Sequence, residues 1–350
     1  VRLRSRCLPT AVGSFPHRDP GEALDLILSH LPEIPVWPQL PNRGFRENMY
    51  VQFAECLPAA VFDEAGGRLF FDTAGDIYPA LEGFLERVVL EDVEYFAVTP
   101  EFAAGLHALM ERMRRARPGT LRWLKGQVTG PISFGLTITD EAKRAILYHD
   151  QLYEAVLKGC VMTARWQART LKGAHPDVIV FVDEPYLSAF GSAFINIPRE
   201  QVVANLTEVV EGIHREGGLA GVHCCGNTDW SILMETPVDI LNFDAYEYLQ
   251  GMTLYSDALG RFVGRGGVLA WGIVPSSEAV LGESVESLAA GFEEAVQQLA
   301  RKGIDRDQLL EQSLLTPSCG VGGRSPEIAA RVLAVVAGLS HAVRETYGLS

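Results

Sequence analysis

Cysteine is scarce in this chain, with six in 350 residues: Cys7, Cys56, Cys160, Cys224, Cys225 and Cys319. So thin a spread excludes the disulfide scaffold on which small secreted domains rely. Positive charge is also short. Lys and Arg number 30 against 44 Asp and Glu, a formal net charge of −14. Such a chain repels phosphate backbones, so no nucleic-acid partner is expected. The one basic run, Arg112, Arg114, Arg115 and Arg117, reads as a solvated helix face. No apolar run reads as long enough to span a bilayer. The first ten residues lack the apolar core and small-residue cleavage site of a secretory signal. These features predict a cytoplasmic protein without membrane contact. Low-complexity stretches, short repeats and Pro/Ser-rich linkers are missing too. The whole chain, residues 1–350, therefore reads as a single domain.

What is present is a recurring unit, a short apolar run followed by an amphipathic stretch. The apolar runs are Thr10–Ser14, Val36–Leu40, Leu124–Thr129, Val178–Asp183, Leu219–His223, Ile240–Asp244, Val268–Val274 and Leu314–Cys319. Runs of this kind suit strands buried on both faces of a parallel sheet. Apolar residues spaced three and four apart mark helices over Pro20–His30, Asp140–Gly173, Arg199–Gly217, Ser284–Lys302 and Pro326–Tyr347. Eight strands alternating with helices predict an α/β fold, the (β/α)8 TIM barrel. Residues 42–120 are too many for one crossover. They read as an insertion between strands two and three, with a helix over Glu47–Cys56, a hairpin over Val61–Phe71 turning at Gly66-Gly67, and two more helices.

Barrel enzymes carry their chemistry at the carboxyl ends of the strands. Here strand five ends in His223-Cys224-Cys225 and strand eight in Cys319. Residues i and i+2 of a strand share a face, so His223 and Cys225 can address one point that Cys319 also reaches. Two thiolates and an imidazole suit Zn²⁺. Cys224 faces the other way and reads as packing, and Cys7, Cys56 and Cys160 read as structural thiols. A fourth ligand would be an oxygen: Asp244, closing strand six, or Glu247 three residues on. Asp183-Glu184 follows a fully apolar run, and two adjacent carboxylates there must meet either a cationic substrate group or an arginine such as Arg46. Trp123 and Trp271 read as core or rim aromatics.

These segments resemble those of a known family. Gly13-Ser14-Phe15-Pro16, Lys125-Gly126-Gln127-Val128-Thr129-Gly130-Pro131, Asp183-Glu184-Pro185, His223-Cys224-Cys225-Gly226-Asn227 and Thr316-Pro317-Ser318-Cys319-Gly320-Val321-Gly322 are similar, in order, to motifs of the catalytic C-terminal barrel of cobalamin-independent methionine synthase. That barrel belongs to a superfamily that also holds uroporphyrinogen decarboxylase and corrinoid-linked methyltransferases. The resemblance implies a zinc-dependent methyltransferase, with zinc on His223, Cys225 and Cys319. The acceptor would be a small thiol, homocysteine, becoming methionine, as in methionine biosynthesis. The family's fourth ligand is a glutamate, and Asp244 stands at the matching place. The resemblance also implies Ser14 and Asp183 as holders of the amino acid moiety, with Glu184 beside them. It puts a second amino-binding carboxylate at Gln52, where this chain has an amide. The folate-using enzymes have two barrels and a tryptophan after the third-strand motif. This chain has one barrel's length and reads Pro131-Ile132-Ser133-Phe134-Gly135, which points to a methylcorrinoid protein as donor rather than folate. The rival readings are a decarboxylase-like lyase and a non-enzymatic, zinc-stabilised protein that binds a corrinoid partner.

Overall fold

The computed structural model describes residues 3–192 and 195–349. In chain order the elements are β1 (Leu8–Pro9), α1 (Pro20–His30), β2 (Ala60–Asp63), β3 (Arg68–Phe71), α2 (Tyr78–Val89), α3 (Ala104–Arg115), β4 (Leu124–Thr129), α4 (Pro131–Thr137), β5 (Thr139–Asp140) and α5 (Asp150–Lys172). Then come β6 (Val178–Asp183), α6 (Arg199–Arg215), β7 (Leu219–Cys224), α7 (Trp230–Glu235), β8 (Ile240–Phe243), α8 (Ala245–Thr253), α9 (Ser256–Gly264), β9 (Val268–Val274), α10 (Val285–Arg301), α11 (Arg306–Glu311), β10 (Ser313–Pro317) and α12 (Pro326–Tyr347). Seven strands form one parallel sheet in the order β1-β10-β9-β8-β7-β6-β4. Sequence neighbours β6 to β10 lie side by side with helices between them, the signature of an α/β sheet of TIM-barrel type.

The segment 35–40 touches both outer edges of that sheet. Trp37 N–H donates to Lys125 O (3.2 Å) and Lys125 N–H to Pro35 O (3.0 Å). On the other side Gln39 N–H donates to Gly13 O (2.9 Å) and Phe15 N–H to Gln39 O (2.8 Å). The pairing is carried by isolated bridges, Val36 with Lys125 and Ser14 with Gln39. The first ladder starts at Leu8, earlier than the apolar run Thr10–Ser14 suggests.

Alternation along β6 shows how the sheet is buried. Val178, Val180 and Val182 join the large core against the helices. Ile179 and Phe181 instead pack with Leu3, Leu8, Ile34, Trp123, Ile240, Val268, Ala270 and Leu314, a second core on the inner face. Moving up the strands, this inner file turns polar. Phe181 is followed by Asp183, Gly221 by His223, Ile240 by Asn242 and Leu314 by Thr316, all buried. The ladder register sets Thr129 beside Asp183, Asp183 beside His223 and His223 beside Asn242. An apolar floor with a polar top at the carboxyl ends is where a site of this architecture sits.

Helix ends follow local chemistry. Asp19 caps α1 through Glu22 N–H (3.0 Å), with Pro20 in the first turn. Ser325 caps α12, and Gly348 at φ 63° closes it in the left-handed conformation. By length and composition alone α12 could cross a membrane, which a search for uninterrupted apolar runs overlooks. Here its apolar face packs on α1, α10, β1 and β10, and Ser340 Oγ donates to Cys7 O (2.7 Å).

Two expected helices differ. Over Glu47–Cys56 there is only a 3₁₀ turn, Phe45–Glu47, followed by isolated turns. Asn48 is extended (ψ 137°), and its side chain accepts from Tyr50 N–H (3.0 Å), an Asx turn that competes with helix. The stretch from Asp140 becomes a helix only at Asp150, because Asp140 Oδ1 accepts from Arg144 N–H (2.8 Å) and closes a turn. The expected hairpin is present as β2 and β3, and β3 adds β5 on its other side.

Helix α3 lies directly on segment 35–40, where a Cβ at Gly105 would overlap the Pro38 carbonyl. Gly105→Ala should therefore lower stability by about 2–3 kcal/mol through overpacking, read as a fall in the urea midpoint at unchanged slope.

Candidate functional site

His223, Cys225 and Cys319 come together. Their ligand atoms all lie within 4.8 Å of one another, His223 buried and the two cysteines half-buried. They arrive from two strand ends, His223 and Cys225 at the top of β7 and Cys319 two residues past β10. Cys224 points into the core and is fully buried, as alternation requires.

One buried amide orients the imidazole. Asn242 Nδ2 donates to Ala270 O (2.8 Å) and to Thr316 Oγ1 (2.9 Å), which fixes the amide so that its oxygen faces His223. Asn242 Oδ1 lies 2.7 Å from His223 Nδ1, so Nδ1 carries the proton and donates. His223 Nε2 is then the nitrogen with a lone pair, and it has no hydrogen-bond partner among the described residues. An imidazole held through one nitrogen by an outer partner, with the other bare beside two thiols, is the arrangement of a metal-binding histidine. Burial pulls the pKa of His223 down, and the Cys225 sulfur and Asp183 carboxylate more than offset it, leaving it raised. Contact with Cys319 and His223 brings Cys225 down to about 4, while the same contact and burial push Cys319 up. A divalent cation between the two sulfurs would favour their thiolate forms. The donor set fits zinc.

Asp244 and Glu247 do not join this group. The Asp244 carboxylate caps α8, accepting from Glu247 N–H (2.9 Å), and burial pushes it up to about 6. Glu247 is exposed in the first turn of the same helix.

The three donors line a cleft of about 260 Å³ together with Val12, Ser14, Gln39, Pro41, Glu47, Asn48, Met49, Asp183, Pro185, Gly320, Gly322 and Gly323. Its lining holds two carboxylates, Asp183 and Glu47, and neither Lys nor Arg. Burial raises Asp183, offset in part by His223 and Lys125, and its Oδ1 has no partner among the described residues. Ser14 Oγ accepts from Gly322 N–H (3.3 Å), and a Cβ at Gly320 would overlap that hydroxyl, so the loop after β10 wraps it closely.

Two residues expected at a substrate sit elsewhere. Gln52 is fully buried, its amide spent on Gln39 Nε2 (2.9 Å) and Phe102 O (2.5 Å). Glu184 turns away to the start of α4, accepting from Ile132 N–H (2.9 Å), Ser133 N–H (2.7 Å) and Ser133 Oγ (2.6 Å). Burial pushes it up to about 7 in spite of those donors. Arg46 meets neither acid and pairs with Glu64 (2.6 Å) and Glu101.

Three residues that sequence reasoning passed over complete the site. Glu47 walls the cleft, held by Arg43 Nε (3.0 Å) and Ala104 N–H (3.2 Å). Burial raises its pKa against those contacts. Asn242 orients His223, and its signal was a lone amide in the apolar run Ile-Leu-Asn-Phe. Lys125 is fully buried in the inner file, with Nζ donating to Val12 O (2.6 Å) and 4.0 Å from the centre of the Phe181 ring. Burial brings it down to about 7 against the pull of Asp183.

No family model matches the chain, and no curated protein matches it. Among solved structures, a B12-independent methionine synthase from Shewanella sp. W3-18-1, in complex with selenomethionine, aligns over 69% of this chain and 67% of its own, at 16% identity and a TM-score of 0.47. A likeness of that degree speaks to neither activity nor ligand.

Two outcomes follow from this geometry. Asn242→Ala should cost about 10–100-fold in zinc affinity by freeing the imidazole, measured by competition with a chromophoric chelator. Lys125→Met should raise Tm at pH 7 by roughly 2–5 °C, since burying an ion costs several kcal/mol. The folded-state pKa of Lys125 lies below its unfolded value of 10.5, so the penalty is full below about pH 7 and fades as pH rises towards 10.5. Unfolding curves at pH 7 and pH 9.5 should therefore show the advantage of Met shrinking.

Proposed function

We propose that this protein is a zinc-dependent methyltransferase similar to cobalamin-independent methionine synthase, moving a methyl group to a small thiol. The observation that carries this reading is the convergence of His223, Cys225 and Cys319 within 4.8 Å at one end of a parallel sheet. Bound there, zinc would supply the positive charge that keeps an acceptor sulfur as thiolate at neutral pH. The residues of the chain do the rest. Asn242 holds the His223 tautomer, and Asp183 and Glu47 supply negative charge to an ammonium group. Ser14 and the loop over Gly320–Gly322 offer small, polar surroundings to the remainder of an amino acid. A cleft of about 260 Å³ suits a molecule of homocysteine size. The fold that goes with this reading is the complete (β/α)8 barrel, with segment 36–40 as its second strand.

The rivals fare less well. A zinc-stabilised scaffold that binds a corrinoid partner would want four protein ligands, and the described residues bring three together. A decarboxylase-like lyase acting on a polycarboxylate would want cations, and neither Lys nor Arg lines the cleft. A methylcorrinoid protein is the donor we favour over folate. After the third-strand motif Phe134 is buried edge-on between Tyr50 (6.4 Å) and Phe71 (6.5 Å), so it offers no face for a pterin.

Metal content tests the core of this. Wild type loaded and desalted should hold about one zinc per chain, and Cys319→Ser should lose it by elemental analysis. Metal-loaded wild type should then methylate homocysteine from a methylcorrinoid and leave acidic thiols without an amino group untouched. A folded wild type that takes up no zinc would sink the proposal.

A further inference from the structure

Helix α2 is apolar on two sides. Leu81 and Phe84 face inward, Phe84 edge-on to Phe96 (5.4 Å) and against Gly159 of α5. On the outer side Tyr78, Leu85 and Val89, spaced seven and four apart, form a stripe that is 62%, 38% and 81% exposed, with Leu90 beside it at 65%. Five of the nine exposed large hydrophobics among the described residues fall within 78–95. A helix on the surface of a self-sufficient domain carries one apolar stripe, and a clustered second one marks a contact surface.

The stripe borders a groove of about 1150 Å³ running to the start of α5. The charged groups along that groove are Glu82, Glu86, Asp150 and Glu154, and no Lys or Arg lines it. Glu154 alone among these has a cation near, Lys158 at 3.1 Å. A second copy of this chain would bring the same acidic rim against itself, on a molecule already at −14. An anionic lipid surface meets the same repulsion.

We propose that this groove docks an amphipathic helix of a partner protein, apolar along one stripe and flanked by Lys or Arg. The twelve residues from Tyr78 to Val89 span ~18 Å, room for about three turns of such a helix. Complementary charge would set its register and speed its approach. The surface stands independently of the chemistry in the cleft.

The probe is a labelled 18-residue Leu/Lys peptide with leucines at helical i, i+3, i+4, i+7 spacing, titrated by fluorescence anisotropy. Its Leu/Glu twin is the control. Full-length wild type should bind the Lys peptide with a micromolar Kd that weakens as salt rises, and should not bind the Glu twin. Val89→Asp with Leu90→Asp should lose at least tenfold. Those side chains are solvent-exposed, so folding is spared, and the variant's added negative charge rules out general attraction as the cause of wild-type binding. Glu82→Gln with Glu86→Gln should lose several-fold. Equal binding by wild type and both variants would overturn the proposal. So would a wild-type dimer that the Asp variant dissolves, or binding to phosphatidylglycerol vesicles that the Asp variant abolishes.

Discussion

One face of the parallel sheet packs into a small core of its own, apart from the core under the helices, and most of the site follows from that constraint. Helices clothe the outside, so each inward side chain meets inward side chains of neighbouring strands at the same height. The residues at one level must then fit each other: the Phe181 ring occupies the space where a Cβ on its ladder partner Gly221 would stand. Lower levels are filled with Ile, Val, Leu and Phe. At the top level no apolar cover is left, and Asp183, His223, Asn242 and Thr316 take over. The candidate site is thus the last layer of a core, and its polar groups are positioned by packing beneath them. Lys125 breaks this order by placing a cation in the lower file. It is tolerated because a carbonyl and an aromatic face receive it.

Much of this was legible in the sequence because buried parallel strands announce themselves as apolar runs. Leu124–Thr129, Val178–Asp183 and Val268–Val274 are strands over those spans, and Pro20–His30 and Pro326–Tyr347 are helices over theirs. Segment 36–40 is apolar in sequence yet forms no ladder and meets the two sheet edges through isolated bridges, since a run can report burial without reporting pairing. The stretch after Arg46 failed because its conformation rests on an Asx turn and not on periodicity. Without a regular element to anchor the register, nothing in the sequence told Glu47 from Gln52 as the residue on the cleft. Glu184 was misplaced for a related reason. Adjacent residues on a strand face opposite ways, so Asp183 points to the cleft and Glu184 into the amide hydrogens that open α4.

The His-x-Cys spacing at 223 and 225 is readable as a shared direction, while the arrival of Cys319 depends on the strand order β10-β9-β8-β7, which no local pattern encodes. The acids of the cleft and those beside α2 line two different surfaces, the second the larger of the two.

Asn242 touches more of the molecule than its size suggests. From β8 it grips the β7 imidazole, a β9 carbonyl and a β10 hydroxyl, so one side chain spans four adjacent strands. The histidine is therefore set by the scaffold and not by the ion it would hold. Small zinc domains that fold only around their metal lose their shape when a chelator takes it. Here the socket is built from ladder hydrogen bonds and a buried amide, so the position of the imidazole does not wait on the ion it would hold.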